Sequence, residues 1–221
     1  MIIAIDGPAG AGKSTVAKIT AQKLGFLYID TGAMYRALTL KALERKIGVN
    51  DTAALIEMVR STTIDLINNQ EGSLKVFLDG HDVSVTIRQP RITKLVSDIA
   101  RIKGVREIML GLQRKLGKIR DSVLDGRDIG TVVFPDADRK FYIDADFKER
   151  VRRRYTELKE LGQNVTQEDI ENDLRNRDNI DSTREVAPLK KAEDAIYIDT
   201  TNMTIKEVVN TVLKNISTNS V

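Results

Sequence analysis

The chain has 221 residues, 41% of them apolar, which is enough for one substantial core in a single elaborated domain. Its 35 basic and 32 acidic residues leave a net charge of only +3, so the positions of the arginines carry more information than the total. The absence of cysteine excludes disulfides, thiolate catalysis and cysteine-ligated metals, and the single histidine, His81, argues against a histidine-rich metal site or a Ser-His-Asp triad.

The first elements of the chain surround a phosphate-binding motif. An apolar run at 2–5 predicts a strand, and apolar residues at helical spacing predict a helix over 13–24. Between them, residues 7–14 read GPAGAGKS, which is the P-loop pattern G-x-x-x-x-G-K-[ST]. Such a loop turns backbone N–H groups toward phosphate oxygens, Lys13 can reach the β- and γ-phosphates, and the Ser14 hydroxyl can ligate Mg²⁺. We therefore expect the chain to bind a nucleoside triphosphate.

The elements that follow alternate between short apolar strands and helices. Strands are predicted at 26–30, 122–125, 140–144 and 195–199. Helices are predicted at 31–46, 52–60, 92–102, 105–116 and 148–161. Two more helices are predicted, one that begins at a capping box at 166–169 and one that begins at a cap at 204–207. Five such strands separated by helices imply a three-layer α/β/α fold around a parallel sheet.

A different pattern interrupts this alternation after residue 61. The stretches 62–67, 74–78 and 82–85 alternate like antiparallel strands, with turns at 68–72 and 79–80. His81 is then an exposed turn residue. We expect one domain over 1–221, with a core formed by 1–61, 90–146 and 190–217, a nucleotide-binding β insert at about 62–89 and a helical lid at about 147–189. The polar tail 217–221 is expected to fray.

Several arginines follow the predicted strand ends, where α/β sheets hold their ligands. Arg36 follows the second strand, and Arg127 follows the strand that ends at 125. Arg177 and Arg184 flank a polar stretch, 178–183, which is predicted to be a loop. Because a guanidinium binds phosphate through two parallel hydrogen bonds, these positions indicate a second phosphate-bearing substrate facing the triphosphate. Phosphoryl transfer between two phosphates is the expected reaction.

A further arginine group has two interpretations. Arg150, Arg153 and Arg154 share one face of the basic helix. They could form a solvated face that pairs with Glu149, Glu157 and Glu160. They could instead neutralise charge at the phosphates.

Four segments resemble bacterial cytidylate kinases of the P-loop nucleoside monophosphate kinase family. They are IDGPAGAGKS at 5–14, DTGAMYR at 30–36, DGRDIGTVVFP at 125–135 and APL at 187–189. The resemblance covers essentially the whole chain, and the three-strand insert is similar to the extra nucleotide-binding segment of the bacterial enzymes. It implies the transfer of phosphate from ATP to CMP or dCMP, with Mg²⁺. Thr31 stands where some members carry serine, and its hydroxyl keeps the same chemistry.

The resemblance implies a role for each matching residue. The ATP phosphate loop would be Gly7, Pro8, Ala9, Gly10, Ala11, Gly12, Lys13, Ser14 and Thr15. Residues implied to bind CMP are Thr31, Tyr35, Arg36, Ser97, Arg106, Arg127, Asp128, Arg177, Asp181 and Arg184. Residues implied to act on the migrating phosphoryl group are Lys13, Arg127, Arg153, Arg154 and Arg184. Ser14 would ligate Mg²⁺ directly, and Asp125 would order it through water.

Within the CMP set, Ser97, Arg106 and Asp128 are similar to cytosine-reading residues. The cytosine amino group is a donor that Asp128 and Ser97 can accept, while Arg106 can donate to the ring acceptors. Arg177 and Asp181 resemble ribose contacts. No general base is needed, because the second pKa of a phosphate monoester is about 6.

Two other functions remain open at this point. A kinase of another small acceptor, such as UMP, AMP or shikimate, would share the P-loop. A nucleic-acid-binding ATPase would suit the basic balance, but aromatic residues for base stacking are not interleaved with the arginines. No apolar run approaches a membrane span, and the N-terminus does not read as a signal peptide. We expect a cytoplasmic monomer with small-molecule substrates and neither nucleic acid nor membrane as a partner.

Overall fold

A computed structural model describes residues 1–69 and 74–217 of the chain. In chain order its strands are β1 (Ile2–Asp6), β2 (Leu27–Asp30), β3 (Ile64–Asn68), β4 (Leu74–Leu78), β5 (His81–Asp82), β6 (Ser122–Gly126), β7 (Arg139–Asp144) and β8 (Ile196–Asp199). Five of them form a parallel sheet in the order β2-β6-β1-β7-β8. The other three form an antiparallel sheet in the order β3-β4-β5. The predicted parallel sheet and the small antiparallel insert are both confirmed.

The α-helices are α1 (Lys13–Leu24), α2 (Thr31–Glu44), α3 (Thr52–Arg60), α4 (Pro90–Thr93), α5 (Val96–Ala100), α6 (Lys103–Gly117), α7 (Phe147–Glu160), α8 (Gln167–Thr183) and α9 (Ile205–Ser217). Local side chains set several of the helix starts. The Asp51 carboxylate accepts the Ala54 N–H at the start of α3. Thr166 and Asp169 form the predicted capping box of α8.

Two apolar clusters bury the two faces of the parallel sheet. Met34, Leu38 and Met109 belong to the cluster on the side of α2, α3 and α6. Val16 and Val212 belong to the cluster beneath α1 and α9. The strands between them are continuous apolar runs because both of their faces are covered, as parallel sheets require. The expected three layers are confirmed.

The carboxyl ends of all five parallel strands meet at one edge of the sheet. Asp30 is in register with Asp125, and Asp6 is in register with Gly126 on the other side of β6. Asp144 is in register with Asp199. Polar residues that are far apart in the sequence therefore converge beside the P-loop, which follows β1 directly.

Three details of the predicted elements are wrong. The expected strand at 82–85 is only His81–Asp82, since the Asp82 carboxylate accepts the Ser84 N–H and turns the chain away. The helix expected at 92–102 is divided into α4 and α5, with a tight turn in which the Leu95 N–H donates to the Ile92 carbonyl.

The third error is the predicted loop at 178–183, which is the last part of α8. The Ser182 and Thr183 hydroxyls donate to carbonyls one turn earlier, so these polar side chains are satisfied within the helix. The hairpin turn at 79–80 is present, with positive φ at Asp79 and Gly80. His81 is exposed as expected, but it is the first residue of β5 and not a turn residue. The predictions for residues 70–72 and for the tail 218–221 lie outside the described residues. Within the described ranges, no helix has the length and apolar character needed to cross a membrane.

Candidate active site

One cavity of about 1290 Å³ opens at the carboxyl edge of the parallel sheet. Every residue predicted for the site lines it, except Gly7 and Pro8 at the start of the P-loop. The cavity runs from the P-loop, past the ends of β2 and β6, to the segment around Ser97 and Arg106. It is roofed by residues of α7 and α8. The fold thus brings the predicted triphosphate site and the predicted acceptor site into one space.

The P-loop is shaped by glycines with left-handed or otherwise unusual backbone. At Gly7 φ is +147°, and a Cβ there would lie 1.9 Å from the Ile143 carbonyl oxygen. At Gly10 φ is +78°, and a Cβ would lie 3.1 Å from the Arg150 Cβ. Gly12 precedes α1 and provides no side-chain cap, so the first N–H groups of the helix remain free for an anion.

Lys13 is folded back into this loop. It is 5% exposed, and its Nζ donates to the Pro8 carbonyl oxygen at 2.6 Å. Burial, helped by the nearby Arg127 charge, lowers the pKa of Lys13 to about 7. A triphosphate on the loop would supply the negative charge that favours the protonated ammonium.

The Asp125 carboxylate is held on both of its oxygens. The Ser14 hydroxyl donates to Oδ2 at 2.6 Å, and the Tyr28 hydroxyl donates to Oδ1 at 2.9 Å. Burial, reinforced by the charge of Asp30, raises the pKa of Asp125 to about 6. This hydroxyl and carboxylate fit Mg²⁺, which prefers oxygen ligands and takes few of them from the protein when phosphates are present. No group of three or more acidic or histidine side chains suited to a metal occurs in the part of the chain that the structure describes.

At the predicted acceptor end of the cavity, buried arginine and aspartate side chains alternate in a row of ion pairs. Arg106 pairs with Asp128, and Arg184 lies 3.3 Å from the other oxygen of the same carboxylate. Arg184 also lies 3.6 Å from Asp181, which pairs with Arg127 at 2.8 Å. Arg106 also donates a hydrogen bond to the Ala100 carbonyl at 3.0 Å. These side chains come from α6, from the turn after β6 and from α8, so only the tertiary fold unites them.

Three arginines around the cavity retain a buried donor that no described residue accepts. They are Arg36, Arg106 and Arg177, each of which also pairs with an aspartate. In each the Nε has no hydrogen-bond partner among the described residues. Because a buried donor without a partner is costly, these three guanidinium groups are suited to a ligand that accepts hydrogen bonds.

The basic helix α7 combines the two interpretations of its arginines. Arg150 is 7% exposed and donates to the Ala9 carbonyl of the P-loop at 3.0 Å and to Asp178 at 2.6 Å. Arg153 pairs with Glu149 at 2.8 Å and donates to the Thr200 carbonyl at 2.6 Å, while Arg154 pairs with Glu157 at 2.8 Å. The predicted glutamate pairing is therefore present for Glu149 and Glu157, yet Arg153 and Arg154 also line the cavity.

The remaining predicted residues pack at the acceptor end. Ser97 is buried on α5. The Tyr35 ring lies 5.7 Å from the Arg106 guanidinium. The Thr31 hydroxyl donates to the Asp125 carbonyl at 2.6 Å, which ties the start of α2 to the end of β6.

Sequence reasoning missed three groups of this site. Tyr28 lies within a strand, and nothing in the pattern separates it from core filler. The P-loop contact of Arg150 depends on how α7 packs, which the sequence does not reveal. Thr200, which lies 2.9 Å from the Asp144 carbonyl, follows β8 directly, and the strand-end argument would have found it.

Comparisons with known proteins agree on the family. The cytidylate kinase family model matches residues 3–218. The cytidylate kinase of Desulforamulus reducens is 53% identical over 96% of this chain and 94% of its own length. That of Caldanaerobacter subterraneus subsp. tengcongensis is 51% identical over 99% of this chain and 95% of its own.

A solved structure agrees on the fold. Shikimate kinase from Acinetobacter baumannii, in complex with shikimate, aligns over 100% of this chain and 94% of its own, with a TM-score of 0.50 and 17% identity. That likeness concerns the architecture of the P-loop kinases alone, whereas the sequence matches run from the first strand to the last helix. The chain belongs to the cytidylate kinase family.

Proposed function

We propose that this enzyme transfers the γ-phosphoryl group of ATP to CMP or dCMP, giving ADP and CDP or dCDP. One observation carries the proposal: a buried Arg106–Asp128 pair faces the same cavity as the P-loop. A kinase of a phosphate acceptor needs a triphosphate cradle and an acceptor site in one enclosed space. Family membership supports the same reaction.

The acceptor end suits cytosine. The Asp128 carboxylate can accept from the exocyclic amino group, Arg106 can donate to the ring acceptors, and Ser97 lies in the same wall. Uracil has an oxygen where cytosine has this amino group, so a buried acceptor, instead of a donor, would face the Asp128 carboxylate. A buried polar group without its partner discriminates strongly between analogues. We assign the ribose to Arg177 and Asp181.

The phosphate of CMP is assigned to Arg36 and Arg127, with Arg184 on the lid side. An oxygen of that phosphate attacks the γ-phosphorus, and the bond from the γ-phosphorus to the β,γ-bridging oxygen breaks, so that ADP leaves. The attacking oxygen needs no base, because the second pKa of the monoester is about 6. Lys13 and the arginines therefore act by positioning and by neutralising charge.

Ser14 and Asp125 would hold Mg²⁺, Ser14 directly and Asp125 through water. When bound, the ion adds positive charge at the phosphates. Tyr28 keeps the Asp125 carboxylate oriented through its 2.9 Å hydrogen bond.

We assign residues 147–189 to a lid that excludes water, since water in the site would hydrolyse ATP. Arg153 and Arg154 on α7 line the cavity and are assigned to the migrating phosphoryl group. We assign the core to residues 1–61, 90–146 and 190–217 and the β insert to about 62–89, as predicted from the sequence.

We further propose that the enzyme is a cytoplasmic monomer with neither nucleic acid nor membrane as a partner. Light scattering of the purified protein should give the mass of one 24.7 kDa chain. ATP hydrolysis stimulated by single-stranded DNA or RNA would favour the nucleic-acid-binding ATPase instead.

A coupled assay of ADP formation tests the reaction. ATP is supplied with CMP, dCMP, UMP, AMP or shikimate, each at several concentrations, with and without Mg²⁺. We expect the highest kcat/KM with CMP or dCMP and no turnover without Mg²⁺. A preference for UMP, AMP or shikimate would overturn the assignment of the acceptor site.

A further inference from the structure

Asp6 is a buried carboxylate at the junction of β1 and the P-loop. It is 5% exposed and does not line the cavity. Its two oxygens accept the backbone N–H groups of Ile129, at 2.9 Å, and Gly130, at 2.7 Å. Among the described residues no lysine, arginine or histidine lies at ion-pair distance from it, so these two amides are its hydrogen-bond donors. A buried, unpaired carboxylate is costly, which calls for a reason beyond packing.

The amides that Asp6 binds begin the tight helical turn Ile129–Val133. This turn is wound as a π-helix, a rare form that is found mainly at functional sites. The first N–H groups of a helix have no partner within the helix. Asp6 supplies that partner from another part of the chain, 123 residues away from Ile129 in sequence.

Asp6 contacts the chain on both sides of Arg127 and Asp128, the two residues of this segment that are assigned to CMP. Its backbone is in strand register with Gly126, and its side chain holds Ile129 and Gly130. Between these attachment points lie Arg127 and Asp128, whose side chains turn toward the cavity.

The same residue leads directly into the P-loop. Gly7 follows it with φ +147°, and backbone there leaves no room for a side chain. One residue is thus connected covalently to the donor loop and by hydrogen bonds to the acceptor segment.

We propose that Asp6 is a positioning residue that fixes Arg127 and Asp128 relative to the P-loop, so that discrimination between cytosine and uracil depends on a carboxylate that touches neither nucleotide. This inference rests on the proposed function, because it concerns the acceptor that the enzyme selects. Asp6 acts through the backbone of residues 127–130 and takes no part in the transfer itself.

A capping residue with a purely structural role would behave differently on substitution. In Asp6→Asn, the oxygen still accepts one amide, but the new NH₂ group faces the other N–H, and the turn must shift. The substitution also removes a buried charge, and burial raises the pKa of Asp6 to about 7. Stability is therefore largely kept, whereas the position of Asp128 is not. A structural role alone would lower stability and would change kcat/KM by the same factor for every phosphate acceptor.

The test compares wild type, Asp6→Asn and the control Asp138→Asn. Asp138 lies at the opposite end of β1, where its exposed carboxylate accepts the Ile2 N–H at 2.6 Å. For each protein we measure kcat/KM for CMP and for UMP, the ATP dissociation constant and the melting temperature. In Asp6→Asn the CMP-to-UMP ratio should fall about tenfold or more, mainly through the KM for CMP. ATP affinity should stay within about twofold, and the melting temperature within about 4 °C. Asp138→Asn should match wild type.

The outcomes separate the inference from the function on which it rests. A wild-type enzyme without preference for CMP overturns the proposed function itself. A wild type that prefers CMP, with an unchanged ratio in Asp6→Asn, overturns the role of Asp6 alone. If Asp6→Asn does not fold, Asp6→Ser, which keeps one acceptor, is measured in its place. If neither variant folds, Asp6 is required for folding itself, and the proposal is overturned.

Discussion

Replacing Arg184 with alanine should lower both turnover and stability. In the sequence, this residue follows the stretch 178–183 that is predicted to be a loop, where an arginine would have little packing to lose. In the structure it is 8% exposed and caps α8, and its Nε donates to the Ala187 carbonyl at 2.7 Å. It also pairs with Asp128 and Asp181 at 3.3 Å and 3.6 Å.

The magnitude of the stability loss follows from what Arg184 leaves behind. Asp128 keeps Arg106 and Asp181 keeps Arg127, so neither carboxylate is stranded, and the loss stays below the roughly 3–5 kcal/mol of a broken buried pair. The charged hydrogen bond to Ala187 is worth about 1.5–3 kcal/mol. The free energy of unfolding should therefore fall by about 2–3 kcal/mol.

Urea denaturation measures this loss, and Arg175→Ala is the matched control. Arg175 lies on α8, but its side chain is 63% exposed. It pairs with the Glu171 carboxylate at 2.7 Å and lies 4.5 Å from the Phe147 ring. That variant should lose less than about 1 kcal/mol. A value for Arg184→Ala equal to that of the control would refute the packed position of this arginine.

Measurements of turnover test whether Arg184 acts in phosphoryl transfer. Turnover should fall on the order of 10³-fold, by analogy with other arginines that face a migrating phosphoryl group. Arg184→Lys should recover little of it, because an ammonium lacks the planar fork. Wild-type kcat with only a raised KM for CMP would instead make Arg184 a ground-state anchor.

Three more measurements follow from the site. Burial lowers the pKa of Lys13 to about 7 from 10.5, so at pH 8 ATP binding should recharge this amine and take up protons, while binding near pH 5 should take up none through it. Calorimetry in two buffers of different ionisation enthalpy measures the uptake, which Lys13→Arg should abolish; equal uptake in both proteins would contradict the lowered pKa. Asp128→Asn should lower the CMP-to-UMP ratio of kcat/KM about tenfold or more, since an amide can also donate to uracil, and an unchanged ratio would move cytosine reading elsewhere. Gly10→Ala should weaken ATP binding about tenfold, because φ is +78° there and the new Cβ meets Arg150. The control Gly111→Ala, an exposed helical position with nothing within 4 Å, should bind ATP normally.

Features that depend on neighbouring residues could be predicted from the amino-acid sequence. The P-loop, the alternation of strands and helices, and the caps at Asp51 and Thr166 are each written within a few positions, and their physics is local. The strand-end rule also placed Arg36 and Arg127 at the correct edge, because parallel strands align their carboxyl ends. The family resemblance supplied the reaction, and the family is confirmed, while the individual residue roles stay predictions.

The pairing of charges that are far apart in the sequence depends on the three-dimensional fold. Arg106 meets Asp128 across 22 positions and Arg127 meets Asp181 across 54, and no local pattern encodes either pair. The stretch 178–183 has loop composition, yet it continues α8, because its hydroxyls bond within the helix and Asp181 pairs with Arg127. In the sequence Asp6 simply follows the strand predicted at 2–5, and its hydrogen bond to the Ile129 N–H exists only because β1 and β6 lie side by side. Burial and distance, which set the energies of such charges, belong to the fold and not to the order of residues.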